Sequence, residues 1–108
     1  MPEPVKIGYA RVSTREQAAS LATQREALTA AGCERVFADT ISGARSTRPG
    51  LDAARSYLRT GDALVVTRLG RLGRSMRDTV TTAAELTDNG VRLVVLDIGL
   101  DVLTEDVS

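Results

Sequence analysis

In the segment YARVST, Tyr9–Thr14, a guanidinium (Arg11) and a hydroxyl (Ser13) stand two residues apart at the end of an apolar run. Two further groups of polar and basic side chains follow: Ser42, Arg45 and Arg48 in TISGARSTRPG, and Arg68, Arg71, Arg74 and Arg77 in TRLGRLGRSMR. A serine oxygen beside several planar arginine forks suits a phosphodiester. The oxygen attacks phosphorus, and the forks hold the non-bridging oxygens as charge builds on them. Composition removes other chemistries. The 108 residues include no His, so a His-based triad or a His-ligated metal cannot be built. One cysteine, Cys33, forms no internal disulfide and cannot complete a Cys/His zinc site. It reads as a small buried hydrophobe.

Each of these residues also has a plainer use. Ser13 with Glu16 fits S-x-x-E, a capping box that opens a helix. Arg11 could pair with Asp39 or another carboxylate. Gln24 falls on the stripe of Leu21, Leu28 and Ala31, where an inward amide needs hydrogen-bond partners in the core. Arginine at every third position from 68 to 77 is also the pattern of a solvated helix face. LGRLGRS could cradle a phosphate at a helix start, but it lacks the G-x-x-x-x-G-K-[ST] pattern of a P-loop.

The elements that must position these groups can be read in order. VKIGYARV (Val5–Val12) is a short run of β-formers and predicts a strand. LATQREALTAAG predicts a helix that stops at Gly32, and RVFAD (Arg35–Asp39) a second strand. Thr40–Gly50 is dense in Ser, Thr, Gly and Pro and reads as a loop. A helix follows with Leu51, Ala54 and Leu58 on one stripe, then the apolar strand ALVVT (Ala63–Thr67). MRDTVTTAAELTDNG predicts a helix with Met76, Val80, Ala83 and Thr87 inward, and VRLVVLD (Val91–Asp97) a fourth strand. The acidic remainder, IGLDVLTEDVS, is weakly patterned.

The order βαβαβαβ implies right-handed crossovers. It predicts an α/β three-layer sandwich: a mostly parallel central sheet of four or five strands with helices on both faces. In such sheets sites form beyond the carboxyl ends of the strands. The first three strands end at Arg11, Ser13 and Thr14, at the loop with Ser42, Arg45 and Arg48, and at Arg68, Arg71 and Arg74. Hydroxyl and guanidinium groups are therefore expected along one sheet edge.

Length and hydrophobic content (43%) suit a single globular domain, and no internal repeat or linker appears. The net charge is zero but unevenly spread. Residues 45–77 hold eight Arg against Asp52 and Asp62; residues 78–108 hold Arg92 against seven acids. Thirteen of the fourteen basic residues are Arg, the side chain whose donor fork matches phosphate oxygens. The middle third can meet a polyanion; the acidic tail cannot. No run of about 20 apolar residues exists to span a membrane. The start, MPEPVKIGYA, has no signal-peptide pattern, and the lone cysteine fits an intracellular, cytoplasmic setting.

Taken together, YARVSTREQ, LATQREAL, DTISGARSTRPGLD and VTRLGRLGRS, in this order and spacing, resemble the catalytic domain of serine site-specific recombinases of the resolvase/invertase family. The resemblance covers about Ile7 to Asp97. It implies that Ser13 is the nucleophile, displacing a 3′-hydroxyl to leave a 5′-phosphoserine link to DNA. It further implies that Arg11, Arg48, Arg71 and Arg74 line the scissile phosphate, with Gln24, Asp39, Ser42 and Arg68 in support and Arg45 and Arg77 toward DNA. The family uses no metal and no nucleotide cofactor. Its partners are double-stranded DNA and further copies of itself, as dimer and tetramer in the full-length form; no membrane is involved. In the family a long dimerisation helix and a C-terminal DNA-binding domain follow, so residues 1–108 are expected to be the catalytic domain without them. The chain departs from the family at LGRLGR, where Gly70 replaces the Asp of L-D-R-L-x-R. That departure supports an alternative: a catalytically impaired relative acting in DNA or subunit binding. A nucleotide- or phosphate-metabolite-binding α/β domain is a third reading, without a P-loop or G-x-G-x-x-G to support it.

Overall fold

In the computed structural model, which describes residues 4–13, 17–41, 48–68, 71–72, 75–96 and 100–101, the expected alternation is present. The elements are β1 (Lys6–Ser13), α1 (Gln17–Ala30), β2 (Arg35–Ile41), α2 (Pro49–Tyr57), β3 (Ala63–Val66), α3 (Met76–Asp88), β4 (Arg92–Val95) and β5 (Leu100–Asp101). They form one sheet in the order β2-β1-β3-β4-β5. The first four strands are mutually parallel, and β5 adds to β4 antiparallel. No helix among the described residues is long and apolar enough to cross a membrane.

Period-two alternation sorts the strand residues onto two faces. Ile7 and Tyr9 of β1, Leu64 and Val66 of β3, and Leu93 and Val95 of β4 join Leu51 and Ala54 of α2 and Leu86 of α3 in one buried cluster. Ala10 of β1 and Val65 of β3 pack with Leu28 of α1 in another. Strand β3 is apolar throughout because both its faces are covered, as a central parallel strand must be. The three-layer sandwich read from the sequence is therefore the observed architecture.

The differences lie at element ends and on one helix. Strand β2 runs on through Thr40 and Ile41 because its register with β1 continues to the pair Ser13 and Ile41. Helix α1 starts at Gln17 rather than Leu21, as the Ala-rich residues before Leu21 are good helix formers. It ends as expected at Gly32, whose φ of 97° favours glycine. On α3 the expected inward stripe is wrong. Met76 (77% exposed), Val80 (58% exposed) and Thr87 face outward, Ala83 is half-buried, and Thr79, Thr82 and Leu86 are buried. Thr79 and Thr82 take the buried positions beside Leu86, and their hydroxyls had masked that face in a hydrophobicity reading.

Candidate active site

The parallel strands bring the ends of β1, β2 and β3 to one edge, with Arg11 and Ser13 in the last part of β1, Asp39 near the end of β2, Arg48 leading α2, and Arg68 and Arg71 after β3. Ser13 closes β1 in register with Ile41. Arg11 and Arg71 are half-buried, and the Nε atom of each is shielded from solvent. Arg68 and Arg77 are exposed. Ser42, Arg45, Gly70 and Arg74 lie outside the described residues, as do Thr14 and Glu16 and so the expected capping box.

Gln24 explains how Arg11 is held. Among the described residues β3 pairs with β1 only as far as Gly8. Beyond Gly8, Gln24, 5% exposed on α1, bonds the β1 backbone at Arg11. The Arg11 N–H donates to Gln24 Oε1 at 3.2 Å, and Gln24 Nε2 donates to the Arg11 carbonyl at 3.1 Å. The inward amide noticed in the sequence thus has both partners, and both belong to a candidate site residue.

Asp39 works on α2. The helix begins at Pro49, which has no N–H to donate, and Arg48 at its N-cap makes no side-chain cap. Gly50 N donates to Asp39 Oδ1 at 2.7 Å, and Leu51 N donates to Oδ2 at 3.0 Å. A carboxylate from β2 therefore caps the helix that carries Arg48 and meets its positive N-terminal end. The fit is close: a Cβ at Gly50 would stand 2.3 Å from the Ala38 carbonyl oxygen.

The same carboxylate accepts a 2.7 Å hydrogen bond from the Tyr9 hydroxyl, fully buried in β1. Burial, and then the bond to Asp39, push the Tyr9 hydroxyl well above the ordinary tyrosine value. The charges of Arg11 and Arg48 oppose that rise, so both guanidiniums lie within electrostatic reach of one buried phenol. Arg48 is anchored further by Nη1, which donates to the Leu72 carbonyl at 3.0 Å and lies 3.1 Å from Asp78 Oδ2. The two sides of the arginine cluster are tied together in this way: Arg48 leads α2, and Leu72 follows Arg71 in the turn after β3.

Tyr9 and Asp78 were not singled out from the sequence. Tyr9 could have been, since it shares the period-two face of Arg11 in YARVST; Asp78 had no signal beyond its place in the first turn of α3. Among the described residues no group of three or more His, Cys, Asp or Glu could hold a metal ion.

An α/β domain with arginines gathered at the carboxyl edge of its strands defines the class, and comparison with known proteins narrows it. The N-terminal catalytic domain of TP901-1 integrase superposes with a TM-score of 0.73 over 94% of this chain and 84% of that one, at 24% identity. A resolvase family site-specific recombinase from Streptococcus pneumoniae gives 0.70 over 94% and 78%, at 19% identity. At these identities the likeness speaks for the fold alone. The sequence itself matches the family model "Resolvase, N terminal domain" over residues 6–107, and the chain belongs to that family. It is 54% identical over 87 residues to the transposon Tn552 DNA-invertase BinR of Staphylococcus aureus, and 47% identical over 95 residues to the serine recombinase gin of Escherichia phage Mu. Those alignments cover 81% and 88% of this chain but 44% and 48% of the relatives, so the chain spans less than half their length.

Proposed function

We propose that this chain is the catalytic module of a serine site-specific recombinase acting on double-stranded DNA. The Ser13 oxygen attacks a backbone phosphorus, the 3′-oxygen leaves and takes up a proton, and the 5′-phosphate stays esterified to Ser13. After strand exchange a 3′-hydroxyl attacks the ester and releases the serine, so rejoining needs no ATP. Arg11, Arg48, Arg71 and Arg74 hold the phosphate oxygens, with Arg68 and Ser42 in support and Arg45 and Arg77 toward the DNA backbone. Gln24 and Asp39 position Arg11 and Arg48. The dimer and tetramer needed for strand exchange, and sequence recognition, are supplied by a long helix and a DNA-binding domain joined to this module.

One observation supports the reading: at the sheet edge where β1 ends in Ser13, Arg48 at the start of α2 donates to the carbonyl of Leu72, the residue after Arg71. Phosphate ester cleavage has one of the highest uncatalysed barriers. A well-placed arginine contributes roughly 10³–10⁵ in phosphoryl transfer, so several in one shielded site make a large share of the acceleration.

The test is a covalent trap. The chain, fused to a relative's dimerisation helix and DNA-binding domain, is given a nicked recombination site that cannot religate. A protein–DNA adduct that survives a denaturing gel, absent in Ser13→Ala, is the expected result. An adduct that persists in Ser13→Ala contradicts it. No adduct in the parent chain but one in Gly70→Asp moves a DNA- or subunit-binding role into first place.

A further inference from the structure

Among the described residues the Arg48 side chain makes two polar contacts, and both run through Nη1. Nη1 donates to the Leu72 carbonyl and lies 3.1 Å from Asp78 Oδ2 in an ion pair. The side-on edge, Nε with Nη2, is the one that grips a phosphate with two parallel bonds, and neither contact uses it. The geometry of Asp78 is equally specific. Ser75 caps α3 by accepting from the Asp78 N–H at 3.1 Å, which puts Asp78 third in the helix. From that position the Asp78 carboxylate reaches 3.1 Å from Arg48 Nη1. The Arg48 side chain is 15% exposed and that of Asp78 32%, so solvent screens the pair only in part.

We infer that Asp78 is a positioning residue: it pins Nη1 of Arg48 and thereby presents the Nε–Nη2 edge to the phosphate. The inference rests on the phosphodiester reading of the site. It sets Asp78 apart from a carboxylate that occupies the anion's place until DNA displaces it.

Arginine side-chain NMR of the 108-residue chain decides the matter, with Arg48 signals assigned through Arg48→Lys and dimethyl phosphate as the diester probe. In the parent chain the Nη1 protons of Arg48 show hindered rotation. Saturating diester moves the Hε signal of Arg48 and leaves the hindered Nη1 signals in place. In Asp78→Asn, which keeps the size of the side chain, the Nη1 signals collapse by faster rotation, and the saturating Hε shift falls by about twofold or more. Asp78→Glu, which can still pair, recovers most of that shift. A saturating shift reports geometry rather than affinity, so loss of a negative charge beside the anion does not mimic the effect. Release of Nη1 in the parent chain on adding diester overturns the inference and marks Asp78 as a competitor. An unchanged Hε shift in Asp78→Asn also overturns it while leaving the phosphate site standing. An Hε signal in the parent chain that ignores the diester overturns it together with the phosphate reading of Arg48.

Discussion

Gln24→Leu isolates the smallest working part of the site. Leucine fills a similar volume but leaves the Arg11 N–H and carbonyl without the two bonds Gln24 now makes. Stripping partners from part-buried backbone groups costs about 1–3 kcal/mol, to be read as a shift in the urea midpoint. Adduct formation should fall further than stability explains, because the freed backbone carries Arg11. Residues of this kind were partly legible. Arg11, Arg48 and Gln24 declared themselves as polar groups in apolar or strand-end settings. The partners did not: nothing in the spacing of Tyr9, Asp39 and Gly50 says that one carboxylate serves a hydroxyl and two helix N–H groups across three elements. Such a network is set by strand register, which the sequence expresses only through the fold.

Among the elements, α2 depends on a cap from outside itself. Asp39→Ala removes both acceptors from Gly50 and Leu51, and the first turn of α2 should fray. A cost of about 2–3 kcal/mol is expected, with hydrogen exchange at Gly50 and Leu51 rising more than in the rest of the helix. Exchange that rises equally along the whole chain would point to global unfolding rather than to a lost cap. Helix α3 offers a contrast of faces. Val80→Lys, on the exposed face, should change stability by less than about 0.5 kcal/mol, whereas Leu86→Ala should cost about 2–5 kcal/mol in the same denaturation series. Element order and type were readable because the apolar periods differ between strands and helices. The inner face of α3 was not, because Thr79 and Thr82 are buried while hydrophobicity ranks the exposed Met76 and Val80 above them.

For the molecule as a whole, the buried phenol makes stability depend on alkaline pH. Tyr9 is held protonated in the folded chain, above its unfolded pKa of about 10. Its contribution is complete below that pH and is lost as pH rises, since only the unfolded chain releases the proton easily. The slope is about 1.4 kcal/mol per pH unit above pH 10. Urea midpoints measured between about pH 9 and 11 should therefore fall more steeply for the parent chain than for Tyr9→Phe; parallel curves would show that Tyr9 ionises without resistance. The whole-molecule fold was legible from the alternation of strands and helices, since right-handed crossovers leave few arrangements of such a chain. The split of charge pointed to a polyanion, but only the shared edge of β1, β2 and β3 joins the basic middle third to Arg11.

The most direct test of the central claim is to find where DNA becomes attached. Adduct from the nicked-site trap is digested with protease and nuclease, and the peptide carrying a residual nucleotide is sequenced by mass spectrometry. The account predicts a 5′-phosphoryl nucleotide on Ser13, in the peptide beginning at Val12. A nucleotide on Ser42, Ser46 or Ser75 instead, or one linked through its 3′-phosphate, would contradict it.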